Sequence, residues 1–343
     1  MNIYRELDRS RIQFDFVYFT GDRCDFDEEI ESLGGHIHRI EAPSTLGRFF
    51  ALYRLLRGGG WKILHSHTLL SSSLHVTAAR LAGVPVRITH SHNTQDDNGG
   101  SRVGRAYQRL AKRVIGWGST QYVACGQAAA QYLFPGRKNV LVVPNGIDID
   151  KFENASGEGV RDGLGISARH LVVLQVARFM PVKNHAFSIR IAEAMRRAGI
   201  DFRMLLVGTG RKKSEIEKLV ADSNLEQHVH FMGLRSDIPD LMTAADVMFL
   251  PSHYEGFGVV LVEAQAAGLP SVASNGVPQE ADVGLGLVRF VALDAGDDEW
   301  IEALQAAARV RVPDKKTRQE VLERAGFSSA AGARLLEGVY GAA

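Results

Sequence analysis

Residues Leu250–Ser274, LPSHYEGFGVVLVEAQAAGLPSVAS, read as the end of a strand, a glycine turn, a helix and a second strand. The apolar run Val247-Met248-Phe249-Leu250 feeds the turn, and Glu255 closes the loop after it. Glu263 follows with the spacing E-x7-E, about a turn and a half into the helix. Between the two, Gly256 and Gly258 let the backbone approach a ligand closely, and the helix amides from Val259 onward face outward. Unpaired amides and the positive end of a helix dipole attract phosphate. Carboxylates beside such a site repel phosphate but accept hydrogen bonds from hydroxyls. The stretch therefore calls for a ligand that carries both, such as a sugar nucleotide.

Outward from this stretch, apolar β-branched runs alternate with amphipathic ones. Predicted strands in the first half are Phe14–Phe19, Lys62–His65, Val86–His90, Gln121–Ala124 and Val140–Val143. After Pro144 a segment rich in Gly, Asn and Asp, through about Gly165, reads as a linker and docking region. A second series follows at Leu171–Ala177, Arg203–Gly208, His228–Phe231, Asp246–Leu250, Pro270–Ser274 and Leu287–Leu293, with helical patterns such as His185–Ala198 and Lys212–Asp222 between them. Such alternation predicts parallel sheets with crossover helices, twice over, with ligands outside the carboxyl ends of the strands. At 343 residues, two domains of ordinary size fit.

A lone E-x7-E would be an ordinary loop carboxylate and a helix surface charge. Here the whole frame P-S-x-x-E-G-F-G-x-x-x-x-E-A-x-x-x-G-x-P-x-V is filled. On that frame the chain resembles the retaining glycosyltransferases of family 4, in the branch that builds bacterial capsule and exopolysaccharide. The resemblance implies the GT-B fold: an α/β protein of two Rossmann-like doubly wound domains facing a cleft. The expected division is an acceptor-side domain at 1–145, with a C-terminal helix at 328–343 packing back on it, and a nucleotide-sugar-binding domain at 146–327.

Arg178 and Lys183, in RFMPVKNH, follow the strand Leu171–Ala177 just before a helix. Two cations there suit a diphosphate, whose charge develops as a glycosidic bond to a nucleotide breaks. By resemblance they bind the donor pyrophosphate, which makes the enzyme metal-independent and without a cofactor. The resemblance further implies that Gly256, Phe257, Gly258 and Val259 form the donor turn, with the Phe257 ring itself packing. Glu263 holds the ribose, Glu255 a hydroxyl of the donor sugar, and the backbone at Leu234 and Arg235 reads the base, most often uracil. Gly208-Thr209-Gly210 lacks the third glycine of a dinucleotide fingerprint, with Lys213 in its place, so Gly208 takes only a supporting role at the donor.

Two D-x-D triplets have the form of a metal site. Asp25-Phe26-Asp27 opens the acidic helix DFDEEIE, where the dipole alone favours carboxylates, and Asp148-Ile149-Asp150 lies in the turn sequence PNGIDIDKF. Neither is expected to bind metal. Two histidine-rich strand ends, HSHT at His65–Thr68 and THSHNTQ at Thr89–Gln95, admit metal or acid–base chemistry, with Asp96 the near carboxylate. Satisfied polar residues at sheet ends are the plainer alternative for His65, His67 and His90. His92 matches the family's cleft histidine, which touches the donor sugar and the acceptor side.

A net charge of +1 hides an asymmetry: Ala42–Thr120 carries 11 Lys/Arg against 2 acids, leaving the rest of the chain net negative. That half suits an anionic partner, but no nucleic-acid-reading motif accompanies it. Residues 46–57, LGRFFALYRLLR, and 101–117 interleave arginines with apolar residues, a pattern that suits an anionic membrane surface. The family's acceptor, a polyprenyl-diphosphate-linked or other oligosaccharide, fits that surface, and the expected location is cytoplasmic, peripheral on the inner face of the plasma membrane. Cys24 and Cys125, far apart, argue against a disulfide framework or structural zinc.

One element departs from the family pattern. Met1–Asp8, MNIYRELD, reads as the tail of a helix, whereas a doubly wound domain opens on a strand and a turn, ~15–20 residues together. The expectation is a start assigned too late, or else a truncated, inactive nucleotide-sugar-binding homologue. The lost strand would be central, and its two neighbours would lack a ladder partner. A sugar-nucleotide epimerase of the same fold is a third reading, against which the E-x7-E frame argues.

Overall fold

The computed structural model describes residues 1–95 and 101–341, and Asp96 lies outside them. The chain divides into two units, Met1–Ile147 with Gly326–Ala343, and Asp148–Ala325. The strands in chain order are Asp15–Tyr18 (β1), His36–Arg39 (β2), Ile63–Ser66 (β3), Val86–Ser91 (β4), Gln121–Ala124 (β5), Val140–Val142 (β6), Leu171–Val176 (β7), Phe202–Val207 (β8), Val229–Gly233 (β9), Val247–Leu250 (β10), Ser271–Ser274 (β11) and Val288–Val291 (β12). Every pairing between them is parallel. Parallel neighbours need crossovers, and helices such as His185–Arg197 and Val259–Ala267 supply them. The α/β class with two Rossmann-like units is therefore the observed fold.

In the second unit the sheet order is β12-β11-β10-β7-β8-β9. Strand order reverses between β10 and β7, and open α/β sheets take their ligands outside the carboxyl ends of the strands at such a point. Both strands are almost wholly buried, as continuous apolar runs covered on both faces must be. Trp300, Phe249, Phe202 and Phe179 lie at 0% exposure in the same core. The sheet is thereby a rigid base for the turns above it.

In the first unit the described strands form two separate sheets, β1-β2 and β3-β4-β5-β6. Among the described residues no strand joins β1 to β3, which pack through side chains instead: Val17 and Phe19 share an apolar cluster with Leu64. The helix Asn2–Glu6 precedes β1. The helix Ser329–Gly341 belongs to this unit as well, burying Leu336 and Tyr340 against Ile88, Val123 and Val143. Its entry is fixed by Ile147, which donates to Phe327 O at 2.8 Å and accepts from Ser329 N at 3.1 Å.

Two sequence expectations need correcting. The strand His36–Arg39 was not expected, because HIHR puts three polar residues in four positions. The segment after Pro144, expected as a linker and docking region without assigned elements, holds the short helices Ile149–Glu153 and Val160–Gly163. Asp148 caps the first of these by accepting from Lys151 N at 3.1 Å, which accounts for one of the D-x-D triplets. In the other, Asp27 accepts from Cys24 N at 2.9 Å and pairs with Arg39 at the start of its helix.

Candidate functional site

The turn after β7 carries both cations. Residues Pro181–Lys183 make one tight helical turn, closed by Asn184 in a left-handed conformation (φ 56°). Asparagine tolerates that region better than most residues because its short amide finds a local partner. Here Asn184 Nδ2 donates to Pro251 O at 3.1 Å, and His253 N donates to Val182 O at 2.8 Å. The turn after β7 is thus laced to the turn after β10. From beneath, Gln175 Nε2 donates to Lys183 O at 3.1 Å, and Ser188 Oγ donates to Gln175 Oε1 at 2.7 Å. Gln175 and Ser188 are both at 0% exposure, so this polar pair in the core is fully committed to holding the turn.

Lys183 meets Glu255 as a result. Its Nζ donates to both carboxylate oxygens, at 2.7 and 2.6 Å, and Ser252 Oγ donates to Oε1 at 2.6 Å. Glu255 is 8% exposed and Ser252 0%, so the pair is enclosed between the two turns rather than displayed on the surface. The Glu255 amide also donates to Gly276 O at 3.1 Å. Position 276 has to be glycine, since a Cβ there would lie 2.2 Å from His253 O.

Gly208 and Gly210 have the same kind of reason to be glycine. With φ 135° and 150°, any Cβ would strike Ala177 O at 2.3 Å or Phe179 O at 2.5 Å. The turn after β8 therefore docks directly on the turn that carries Arg178, sealed by Phe179 N donating to Thr209 O at 2.9 Å. Arg178 is exposed at this junction and forms no ion pair among the described residues. The structure brings Arg178, Gly208, Lys183 and Glu255 to one end of one sheet.

The helix Val259–Ala267 begins at Gly258, whose φ of 86° excludes most side chains, and no side chain caps it. Phe257 is buried beneath the turn at 5% exposure, as a packing residue should be. Glu263 lies further along this helix, half-buried, and burial pushes its carboxyl up to about 6, with Lys151 opposing. Leu234 is 79% exposed after β9, and Arg235 is held by Asp237 with Nε to Oδ1 at 2.8 Å. His92 is in the other unit. Its Nδ1 lies 3.1 Å from Asn145 Oδ1 and its Nε2 2.8 Å from His67 Nδ1.

Residues 159–310 match the family described as "Glycosyl transferases group 1", and residues 1–146 match the "Glycosyl transferase 4-like domain". The putative glycosyltransferase EpsF of Bacillus subtilis (strain 168) is 37% identical over 351 residues, covering 99% of this chain and 91% of that protein. The chain belongs to the family 4 glycosyltransferases. Among solved structures of the same fold, HepE from Anabaena in complex with UDP superposes with a TM-score of 0.77 at 18% identity, covering 97% of this chain and 100% of that one. The lipopolysaccharide outer core galactosyltransferase WaaB, in apo form, gives 0.70 at 16% identity over 100% and 94% of the two chains. The architecture of this glycosyltransferase is thus GT-B.

The buried supports escaped sequence reading. Ser252 stands in the P-S-x-x-E frame, and its place three residues before Glu255 is the available signal. Gln175 is a polar residue inside the otherwise apolar run LVVLQV of β7, which also marks it. Nothing in the sequence marks Ser188 as the partner of Gln175, or Asn145 as the partner of His92.

Proposed function

We propose that this glycosyltransferase moves a sugar, with retention of configuration, from a UDP donor to a hydroxyl of a lipid-linked or oligosaccharide acceptor in bacterial capsule or exopolysaccharide synthesis. The observation that carries the reading is the Lys183–Glu255 pair, enclosed between the turns of β7 and β10. The uncapped helix end at Gly258 lies on the same loop as Glu255.

In this reading Arg178, Lys183 and the amides from Gly256 to Val259 hold the donor diphosphate. Two cations and a helix N-terminus supply the positive charge that a metal ion supplies elsewhere. Glu263 accepts from the ribose hydroxyls, Glu255 from a hydroxyl of the sugar, and the backbone at Leu234 and Arg235 meets the base. The acceptor oxygen bonds to the anomeric carbon on the face that the diphosphate leaves. The departing phosphate oxygen takes the acceptor proton, and UDP is released. His92 keeps the assignment that the resemblance gives it, to the donor sugar and the acceptor side. Uridine is favoured because HepE is seen with UDP and with UDP-glucose. An Escherichia coli relative, 29% identical over 69% of this chain, is named as a UDP-Gal-dependent galactosyltransferase.

Calorimetric titration of UDP in the presence of a chelator tests the reading. Saturable binding, abolished in Arg178→Ala, is expected. No binding by a folded, monodisperse sample would overturn it. A new glycoside in a donor panel then separates a transferase from an inactive binding homologue, which would yield no product.

The acceptor side draws support from the helix Arg102–Gly118. It exposes Val103, Tyr107, Leu110 and Trp117, whose spacing of four, three and seven places them on one stripe among five basic residues. No helix among the described residues is long and apolar enough to cross a membrane. We assign this stripe to an anionic bilayer surface, which would place the enzyme peripherally at the cytoplasmic face. Each basic residue near such a surface contributes about 1 kcal/mol. Exchanging Arg105, Arg109 and Arg113 for Gln together should weaken binding to phosphatidylglycerol vesicles by roughly a hundredfold, the sum of those contributions. Unchanged vesicle binding would dismiss the surface.

A further inference from the structure

The transfer reaction leaves one polar feature of the first unit unexplained. The ends of β3 and β4 gather four imidazoles. Ring centroids are 4.2 Å apart for His65–His67, 5.3 Å for His65–His90, 5.1 Å for His67–His90 and 4.0 Å for His90–His92. Adjacent pairing in register, with Ser66 beside Thr89, sets the two H-x-H sequences side by side. Buried polar groups in folded proteins are nearly always hydrogen-bonded. Yet neither ring nitrogen of His90, at 2% exposure, nor Nε2 of His65 has a hydrogen-bond partner. Each such orphan is unfavourable unless something pairs with it.

The hydrogen bonds around the cluster fix most of its protons. Asn145 Oδ1 only accepts, so the proton of His92 is on Nδ1, 3.1 Å away. His92 Nε2 therefore presents a lone pair, and His67 Nδ1 donates to it across 2.8 Å. That leaves His67 Nε2 as a bare lone pair. On the other side, His65 Nδ1 lies 2.6 Å from the phenol oxygen of Tyr340. When Nδ1–H donates to that oxygen, Nε2 of His65 is a lone pair too. His90 offers either nitrogen. One ring nitrogen from each of His65, His67 and His90 lies within 4.8 Å of the other two.

We propose that this unit binds one divalent transition-metal ion, of the zinc class, through His65 Nε2, His67 Nε2 and a ring nitrogen of His90. Three imidazoles and no carboxylate suit zinc, copper or nickel and disfavour magnesium and calcium, which want oxygen. Tetrahedral zinc, with bonds of about 2.0–2.1 Å, would hold the nitrogens ~3.3 Å apart, so small side-chain rotations must draw them inward. His67 is exposed and gives the ion a way in. Metal-bound histidines usually donate their other N–H to a partner that fixes the ring. Tyr340 does this for His65 and His92 does it for His67. The ion would tie the ends of two strands to the C-terminal helix that carries Tyr340. Its ligands belong to the first unit, whereas the residues assigned to the donor diphosphate belong to the second.

The experiment is a titration of Co²⁺ and of Zn²⁺ into the full chain, freed of any tag and stripped of metal, read by visible absorption and calorimetry. One ion per chain is expected, with the visible bands of a low-coordinate cobalt site. His67→Ala and His90→Ala should each weaken binding at least tenfold, and Tyr340→Phe, which removes only the partner oxygen, about tenfold. Far-UV circular dichroism checks folding, and His67→Ala, at an exposed position, keeps the test decisive if His90→Ala fails to fold. Substoichiometric binding by the parent chain would overturn the proposal. So would full-strength binding by His67→Ala, which would locate the ion on other histidines. Mg²⁺ should give no heat, and tight Mg²⁺ binding would refute an imidazole site.

Discussion

Replacing Lys183 by Met is expected to lower turnover on the order of 10²–10³-fold and to destabilise the second unit by about 3 kcal/mol. Both effects come from one position, and they have different causes. The lysine donates to both oxygens of Glu255, and the pair is largely enclosed, at 21% and 9% side-chain exposure. Removing the lysine leaves a buried carboxylate without its counter-charge, although Ser252 still donates to it. Turnover falls for another reason: the cation no longer meets the charge that develops on the departing diphosphate. The double change Lys183→Met with Glu255→Gln separates the two. No unpaired charge remains, so the chemical-denaturation midpoint should recover most of the way. Turnover should stay as low as in the single variant or fall further. Recovery of turnover together with stability would make the pair a structural salt bridge and remove Lys183 from the reaction.

Stability of the Lys183 turn also shows where sequence reading stops. Strands β7, β10 and β11 were legible because parallel strands buried on both faces are continuous apolar runs bounded by turns. Gly256 and Gly258 were legible because a strand-to-helix turn needs backbone freedom. The partners that aim Lys183 were not, because Gln175 and Ser188 are joined by folding and not by spacing. Periodicity likewise shows two H-x-H strand ends but not that β3 and β4 are neighbours, which is what brings His67 and His90 together. Strand β2 was missed for a related reason. At an edge its polar residues remain partly solvated, so HIHR carries no alternation strong enough to read.

Affinity for a UDP-sugar should be level above pH 7 and fall by up to tenfold for each unit below about 6, where Glu263 takes up a proton. The sign follows from what the carboxyl must do. Burial raises the folded-state pKa above the ordinary glutamate value of about 4.3. Acid therefore protonates Glu263 while the chain is still folded. A protonated carboxyl offers one oxygen fewer to the ribose hydroxyls, and affinity goes with it. Linkage requires the converse: donor binding favours the ionised form and releases a proton between pH 5 and 7, so the heat of binding there should depend on the buffer's ionisation enthalpy. The same carboxyl has an opposite effect on stability. Its ionised form is disfavoured by folding, so the contribution of Glu263 to stability is greatest below the unfolded pKa and declines as pH rises through about 6. A group kept charged at some cost to the fold is what a binding residue looks like. Free UDP is the wrong ligand for this measurement, because its terminal phosphate has a second ionisation near ~6 that would overlay the effect. A UDP-sugar has no such proton. Glu263→Gln should bind weakly at every pH and show a flat profile. A parent chain whose affinity is level from pH 5 to 8, or a Gln variant with the parent's slope, would take Glu263 out of the donor site.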